Sequence, residues 1–502
     1  MDKTGVIIIG GNSITFTLTE IQKSGYFKII DELSFPIRLY DDIMKNYEIS
    51  DLKLKETISI LKEFRNLADT YEVTKLIPVS TSFLNDAINK DIFIKTIKKE
   101  LNIELCILET KDEIYYTYLS IINSIYLDNA ILINIQEKTT HIIWITNKTI
   151  KHSVTLSIGS TNLSYNYNLQ DKILKENIDK ALINIKSELN KISKIKGIKF
   201  DHIIGTGETI HSVAKLDRIR KKYPLDILHN YITNDIDIQD IYNLLKSKTL
   251  TQRKRLDGIS QENVDLLVGG TLLFQEIVSY FNISNITISK PSLKEGIIFD
   301  YIEKNFNLTQ DILDLSLIGL VEDFNLNLSH SKHVYHTTKK LFESLKPLHK
   351  LGDYYNKIIK TASYLHDIGT NINYYQHEKH SFYIILNSNI NGLTHKELLL
   401  SSAIAASHRN FSYHLSLPQY CLLINKLNVK AIDEIGILLA IAEKLNRNLK
   451  SEAEDLHVTI TENSVIIKIL SKSDLNLEFQ QISKLSRRFH EIYDKTLLIF
   501  KD

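Results

Sequence analysis

The stretch "GVIIIGGNSITFTLTEIQ", residues 5–22, decides the reading of the fold. A short apolar run closes on two glycines and an alternating run reopens at once, so it reads as two strands, "GVIIIGG" and "SITFTLTEIQ", joined by a tight turn. Downstream, "LKLKETISILKEFRNLADTY" has the helical spacing of apolar positions, and "TKLIPVST" reads as a buried strand followed by a helix. This alternation predicts a layered sheet with helices on it. From about Asn129 the pattern restarts with "AILINIQ", "THIIWITN" and "TIKHSVTLSIG", three short strands joined by polar turns. Two structurally repeated lobes are expected, without a recognisable sequence repeat. After the strand "ITIS" and the helix "SLKEGIIFDYIEKNF", residues 308–455 carry almost no strand signal and show helical periodicity at 333–348, 354–366, 396–408 and 431–449. That region reads as a helical bundle. The tail reads as a hairpin, "VTITENSVIIKIL", followed by a helix through "FQQISKLSRRFHEIYDK". The expected class is therefore α/β plus all-α, divided at 1–125, 126–305, 306–455 and 456–502.

Composition narrows the function. At 502 residues the chain supports two to four domains. Cys106 and Cys421 lie far apart in apolar surroundings, which argues for reduced, buried thiols and a cytoplasmic protein. The first residues are charged and then apolar only briefly, too short a run for a signal-peptide core or a membrane span, so no membrane association is expected. A net charge of +1 gives no global basic field, so no nucleic-acid partner is expected, while a small anionic ligand fits.

Within the helical half, "SYLHDIGTNIN", residues 363–373, sets His366 beside Asp367 at the end of an apolar run, with Gly369 able to take the left-handed conformation that ends a helix. An imidazole and a carboxylate so placed are a metal-binding pair or a buried polar pair at a helix end. His333 lies on one predicted helix, His380 precedes another and His408 ends a third, and a bundle can bring such residues together, with Glu443 as a further acid. His336, His377 and His395 read as supporting or surface residues.

The order His, His-Asp, His, His and a final acid resembles the HD superfamily of metal-dependent phosphohydrolases. Its usual last residue is Asp, where this chain has Glu443. The resemblance implies metal ligands His333, His366, Asp367, His380, His408 and Glu443, with Asp367 catalytic. A divalent ion there would lower the pKa of water toward neutrality and shield charge developing at phosphorus. Lys379, Arg409 and Arg447 lie next to these positions and suit phosphate oxygens.

The segment "HDIGTNINYYQHEKHSFYIILNSNINGLTHKELLLSSAIAASHR" goes further and resembles the C-terminal half of the exopolyphosphatase/guanosine pentaphosphate phosphatase family. "IIIGGNSITF", "STSFLNDAIN", "LETKDEIYYTYL", "LSIGSTNL", "GTGETI" and "SLKEGI" match its remaining motifs in order. The resemblance implies two actin-like (ribonuclease H-like) lobes joined to an HD-like helical domain, a homodimer, a divalent cofactor (Mg²⁺ or Mn²⁺, or another transition metal in the HD-like site), and polyphosphate or a guanosine polyphosphate as ligand. It also implies that Gly10, Asn12, Ser13, Gly205, Thr206 and Gly207 hold phosphate, beside the Lys379 and Arg409 already placed next to the candidate ligands. Glu113 then orients water, although with Asp112 beside it the residues themselves read first as a solvated helix face.

The departures from the family are specific. Ile8 stands where the opening Asp belongs, and Asn85 where the family has Arg. The glycine-rich second phosphate turn is replaced by Asn134-Ile135-Gln136-Glu137-Lys138-Thr139-Thr140-His141, whose side chains block close backbone approach and whose Glu137 repels an anion. The expected function is phosphohydrolysis with a degenerate actin-like site and the chemistry in the HD-like half. The alternative is a non-catalytic regulatory protein that binds polyphosphate or an alarmone.

Overall fold

The computed structural model describes residues 2–306, 311–409, 417–447, 455–471 and 474–501. The chain forms two compact units, Met1–Thr309 and Gln310–Asp502.

The first unit holds two sheets. Strands β1 (Asp2–Ile9), β2 (Ser13–Ile21), β3 (Phe27–Pro36), β4 (Lys75–Ser80) and β5 (Cys106–Ile107) lie in the order β3-β2-β1-β4-β5. An antiparallel meander of three strands continues into parallel β4 and β5. Strands β6 (Asn129–Ile135), β7 (Thr140–Thr146), β8 (Thr149–Leu156), β9 (His202–Thr206), β10 (Tyr231–Asn234) and β11 (Asn285–Ile288) lie in the order β10-β11-β9-β6-β7-β8. Here too a meander, β6-β7-β8, is extended by parallel strands β9 and β11, and β10 adds an antiparallel edge. The two sheets thus repeat one connectivity. The apolar runs explain it: β6 is buried along nearly its whole length, as a central strand covered on both faces must be.

Helices complete the layers. They include α1 (Asp51–Thr70), α2 (Thr110–Ile122), α3 (Ser160–Asn166), α4 (Leu267–Phe281) and α5 (Leu293–Asn305). The Ser50 side chain accepts from the Lys53 amide and starts α1, while Ile131, Ile133, Ile203, Leu272 and Phe274 close the core between the second sheet and α4.

The second unit is helical around α6 (Leu328–Ser344), α7 (Asn356–Leu365), α8 (His377–Asn387), α9 (His395–Ser407) and α10 (Lys426–Leu445). Three of these starts, those of α6, α9 and α10, carry a signal that the periodicity alone did not reveal. Asn327 Oδ1 accepts from the His330 amide, and Thr394 with Glu397, and Asn425 with Asn428, form capping boxes. The helix expected at 333–348 starts five residues earlier and stops at Ser344, because Pro347, inside the next short turn, has no amide to continue it. Residues 448 and 449 of the helix expected at 431–449 lie outside the described residues.

The expected hairpin is present as β12 (Asp455–Ile460) and β13 (Ser464–Leu470). The single helix expected after it is two, α11 (Asn476–Ser483) and α12 (Ser486–Tyr493), and they lead to β14 (Thr496–Lys501), which pairs parallel with β13. Both cysteines are exposed and free, not buried: Cys106 sits on edge strand β5, and Cys421 in a turn. Among the described residues no helix is long and apolar enough to cross a membrane.

Candidate metal centre and the junction of the two sheets

In the second unit the His366-Asp367 pair follows α7 and enters a short 3₁₀ turn, Ile368–Asn371. Gly369 has no left-handed φ there. It is needed for space, since a Cβ on it would stand 2.1 Å from the His377 carbonyl oxygen and 2.5 Å from the Ser381 amide nitrogen. Ser381, fully buried on α8, ties the turn from both sides: its hydroxyl donates to the His366 carbonyl at 2.6 Å and accepts from the Gly369 amide at 3.0 Å. This clasp brings the first turn of α8, and with it His377, against Asp367.

Three imidazoles converge on that carboxylate. His377 Nε2 lies 3.2 Å from Asp367 Oδ1, His408 Nε2 3.8 Å from the same oxygen, and His366 Nε2 3.4 Å from Oδ2. All three histidines are buried, whereas the Asp367 side chain is 33% exposed and opens the cluster to solvent. Each ring uses Nδ1 in the same way, against the carbonyl three residues before it: His366 to Ser363, His377 to Tyr374 and His408 to Ala405. A carbonyl only accepts, so each Nδ1 carries a proton, and each Nε2, turned inward, presents a lone pair whenever its ring is neutral. His377 Nε2 and His408 Nε2 are 3.3 Å apart, a separation that two lone pairs tolerate only with a proton or a cation between them. His366 Nε2 and Asp367 Oδ1 are buried without a well-directed hydrogen bond. Tautomers fixed by backbone carbonyls and inward donors left unsatisfied are what a bound divalent ion requires.

The electrostatics agree. Burial opposes ionisation of Asp367, but the facing His366 and His377 outweigh it and hold the carboxyl well below its usual range. Burial likewise opposes protonation of His366, and the Asp367 carboxylate, with Glu443 beyond it, raises its pKa. His408 is pushed down to about 3 by burial and by the neighbouring His366, so its imidazole is neutral and free to ligate.

Among the described residues two ligand groups emerge, His330, His366 and Asp367, and Asp367, His377 and His408, each with donor atoms within 4.8 Å of one another. Asp367 belongs to both, the position of a bridging carboxylate. His330 and His377 therefore stand where His333 and His380 were expected. His330, at the start of α6, puts its ring 5.6 Å from that of His366, and His333 is the next residue along that face. His380 lies three residues into α8 and packs against Gly369 instead of reaching Asp367. The expectation that His377 is a supporting residue is corrected by its contact with Asp367. Glu443 is buried beside the cluster but outside both groups, with Arg409 Nη2 3.7 Å from Oε1 and Lys444 Nζ 3.6 Å from Oε2. The Arg409 guanidinium also lies 5.2 Å from the centroid of the Tyr374 ring. Lys379 is exposed and bonds Gln376, turned to solvent.

In the first unit the remaining candidates gather at strand ends. Gly10, Asn12 and Ser13 form the β1–β2 turn, and Gly205 and Thr206 end β9 beside Ile133 and Asn134 of β6, with Gly207 following. Glu113 is not on a solvated helix face. It is fully buried on α2, and the Ser82 amide donates to its carboxylate. Burial holds its pKa above the usual range and pushes His141, 4.0 Å away on β7, down to about 4. Glu137 points into the β1–β2 turn, where the Asn12 amide donates to its Oε1.

The family model described as the Ppx/GppA phosphatase family matches residues 19–305, and that of Ppx/GppA phosphatase domain III matches residues 312–485. The chain belongs to the Ppx/GppA phosphatase family. This family member is 21% identical over 488 residues to a guanosine-5'-triphosphate,3'-diphosphate pyrophosphatase of Aeromonas salmonicida, covering 95% of this chain and 96% of that relative. It is 26% identical over 310 residues to a bifunctional 3-dehydroquinate synthase/phosphatase of Fusobacterium nucleatum, covering 59% of this chain and 46% of that longer protein. Among solved structures, an Aquifex aeolicus Ppx/GppA family member aligns with a TM-score of 0.54 at 22% identity, over 60% of this chain and 98% of its own. An exopolyphosphatase from Cytophaga hutchinsonii aligns with a TM-score of 0.57 at 19% identity, again over 60% of this chain and 98% of its own. At these identities the likeness shows the fold.

Proposed function

We propose that this family member is a divalent-metal phosphohydrolase that cleaves phosphoanhydride or phosphoester bonds at an HD-like site built on His366, Asp367, His377 and His408, with His330 as a further ligand. The junction of the two sheets is then a degenerate actin-like site. One observation carries the reading: three Nε2 atoms meet one carboxylate, each with its Nδ1 tied to a carbonyl. A divalent ion held there would polarise phosphoryl oxygens and supply a nucleophile at neutral pH. Imidazole-rich donors favour Mn²⁺ or a later transition ion over Mg²⁺, which prefers oxygen ligands.

The chain's own residues do the rest. The backbone-anchored imidazoles hold the donor atoms rigidly, and Asp367, open to solvent, orients the attacking water and accepts its hydrogen bond. Arg409 and Lys444, now drawn to Glu443, supply cationic hydrogen-bond donors for phosphate oxygens. The pyrophosphatase relative supports a guanosine polyphosphate as substrate, with polyphosphate the neighbouring choice.

The test is phosphate release from polyphosphate and from pppGpp with Mn²⁺ or Mg²⁺, comparing wild type, Asp367→Ala and Glu113→Gln. The reading expects Asp367→Ala to remain folded and lose roughly hundredfold or more in rate, with Glu113→Gln within a few-fold of wild type. The opposite ranking would move the chemistry to the junction of the sheets. No release from either substrate would favour the non-catalytic binding protein.

A further inference from the structure

We infer that the β1–β2 turn is an oxyanion site that this chain keeps filled with its own Glu137 carboxylate, so that an external phosphate enters only when Glu137 is removed. The turn is bare on the side facing Glu137. A Cβ on Gly10 would stand 3.8 Å from Glu137 Oε1, and one on Gly11 would stand 3.4 and 3.5 Å from Glu137 Cγ and Cδ, so the acidic side chain lies along the two glycines. The Asn12 amide then donates to Oε1 at 3.3 Å. On its other side the turn is fully committed: the Asn12 carbonyl accepts from the Ile37 and Arg38 amides and the Gly11 carbonyl from the Tyr40 amide, which fixes the Asn12 N–H toward the acid. A glycine-lined turn with an inward N–H and a carboxylate seated on it is an anion site with the anion supplied internally.

The segment that delivers Glu137 is equally fixed. Its carbonyl accepts from the Thr161 amide at 3.0 Å and from the Asn162 amide at 3.4 Å, at the start of α3, and Asn162 Nδ2 donates to the Lys138 carbonyl at 2.9 Å. Lys138, the cation adjacent in sequence, reaches across to Asp86 of the first sheet's side instead of pairing with Glu137. The acid is held by backbone without a salt bridge among the described residues, and burial, with Glu113 nearby, raises its pKa. A second contact ties the same two halves together, since Arg38 grips both oxygens of Asp265 at 2.9 and 3.1 Å and the Tyr165 hydroxyl at 3.0 Å. The turn that the family resemblance marks for phosphate is, in this chain, occupied by itself. The ligand that would replace the carboxylate is a tetrahedral oxyanion, such as orthophosphate or the end of a phosphate chain.

The experiment uses the full chain in an Asp367→Ala background, which silences the site of the second unit and makes the outcome independent of the proposed activity. Binding of tripolyphosphate is measured by calorimetry, and hydrogen exchange is followed in the peptide spanning residues 10–13. With Glu137 present, no binding and a protected Asn12 amide are expected. Glu137→Ala is expected to speed exchange at residues 10–13 at least tenfold, to bind tripolyphosphate, and to recover the protection when it does. Glu137→Gln, which keeps an acceptor of the same shape, is expected to stay protected and not to bind. Unchanged exchange in Glu137→Ala, or binding by the parent as tight as by Glu137→Ala, overturns the inference. Should Glu137→Ala fail to fold, Glu137→Ser carries the same expectations.

Discussion

His377 and His380 share one helix three residues apart, and only His377 meets Asp367. Positions i and i+3 lie on the same helical face, so spacing alone could not separate His377 from the expected His380, and nothing in it singled out His330 beside the expected His333. What separates them is local: the His377 ring is turned by its Nδ1 bond to Tyr374, and His380 packs against Gly369. His366-Asp367 was legible because its members are adjacent and need no long-range packing to meet. We therefore expect His377→Ala to weaken Mn²⁺ binding by roughly tenfold or more, and His380→Ala to weaken it much less, as read by calorimetry. A second residue-scale prediction concerns His141, whose folded pKa of about 4 lies below the ordinary value of 6.5 because the ring is buried. The unfolded chain binds the proton more readily, so the contribution of neutral His141 is complete above pH 6.5 and is lost as pH falls toward 4. The loss is on the order of 2–3 kcal/mol. Denaturant titrations across that window should show His141→Asn with a shallower acid limb, by about one proton taken up on unfolding.

At the scale of elements, the strands of the first unit were readable because apolar runs bounded by glycine and polar turns mark them: β2, β4 and β6 fall within a residue of the expected stretches, and β1 starts three residues earlier than expected. The parallel pairing of β13 with β14 was not readable, since "TLLIFK" finds its partner only after α11 and α12 intervene. Half-buried α8 was also missed, because its sequence "HEKHSFYIILN" opens on polar residues and buries polar His377, Glu378 and Ser381 together with Ile385 and Leu386. Yet α8 and the turn before it build the site. A methyl group on Gly369 would meet backbone atoms, the His377 carbonyl at 2.1 Å and the Ser381 amide at 2.5 Å, which cannot rotate away as a side chain would. Gly369→Ala must push α8 off the turn, break the Ser381 clasp and draw His377 from Asp367. The expected result is a stability loss of about 1–3 kcal/mol in urea, together with loss of Mn²⁺ binding. Ser381→Ala, which removes the clasp without adding bulk, should lose about 1 kcal/mol and retain partial metal affinity.

Across the whole molecule, the two kinds of site fall in different compact units, the Glu137-filled turn in Met1–Thr309 and the histidine cluster in Gln310–Asp502. The large apolar clusters around both sheets, such as that of Ile131, Ile203 and Phe274 and that of Ile7, Phe16 and Phe64, are built from residues of the first unit. A ligand that binds one folded unit stabilises that unit by mass action, by about 2.7 kcal/mol at a free concentration of a hundred times its Kd. For a unit of this size that corresponds to a rise in Tm of roughly 5–10 °C. Calorimetric scans of the full chain should accordingly resolve two transitions, and Mn²⁺ should move only one of them by that amount. Asp367→Ala should abolish the shift while leaving the other transition in place, and Glu137→Ala should alter only the transition that does not respond to metal. If Mn²⁺ moved both transitions equally, the ion would be bound in both units or the two would unfold as one, and the separation of the filled turn from the metal cluster would fail as an account of this chain.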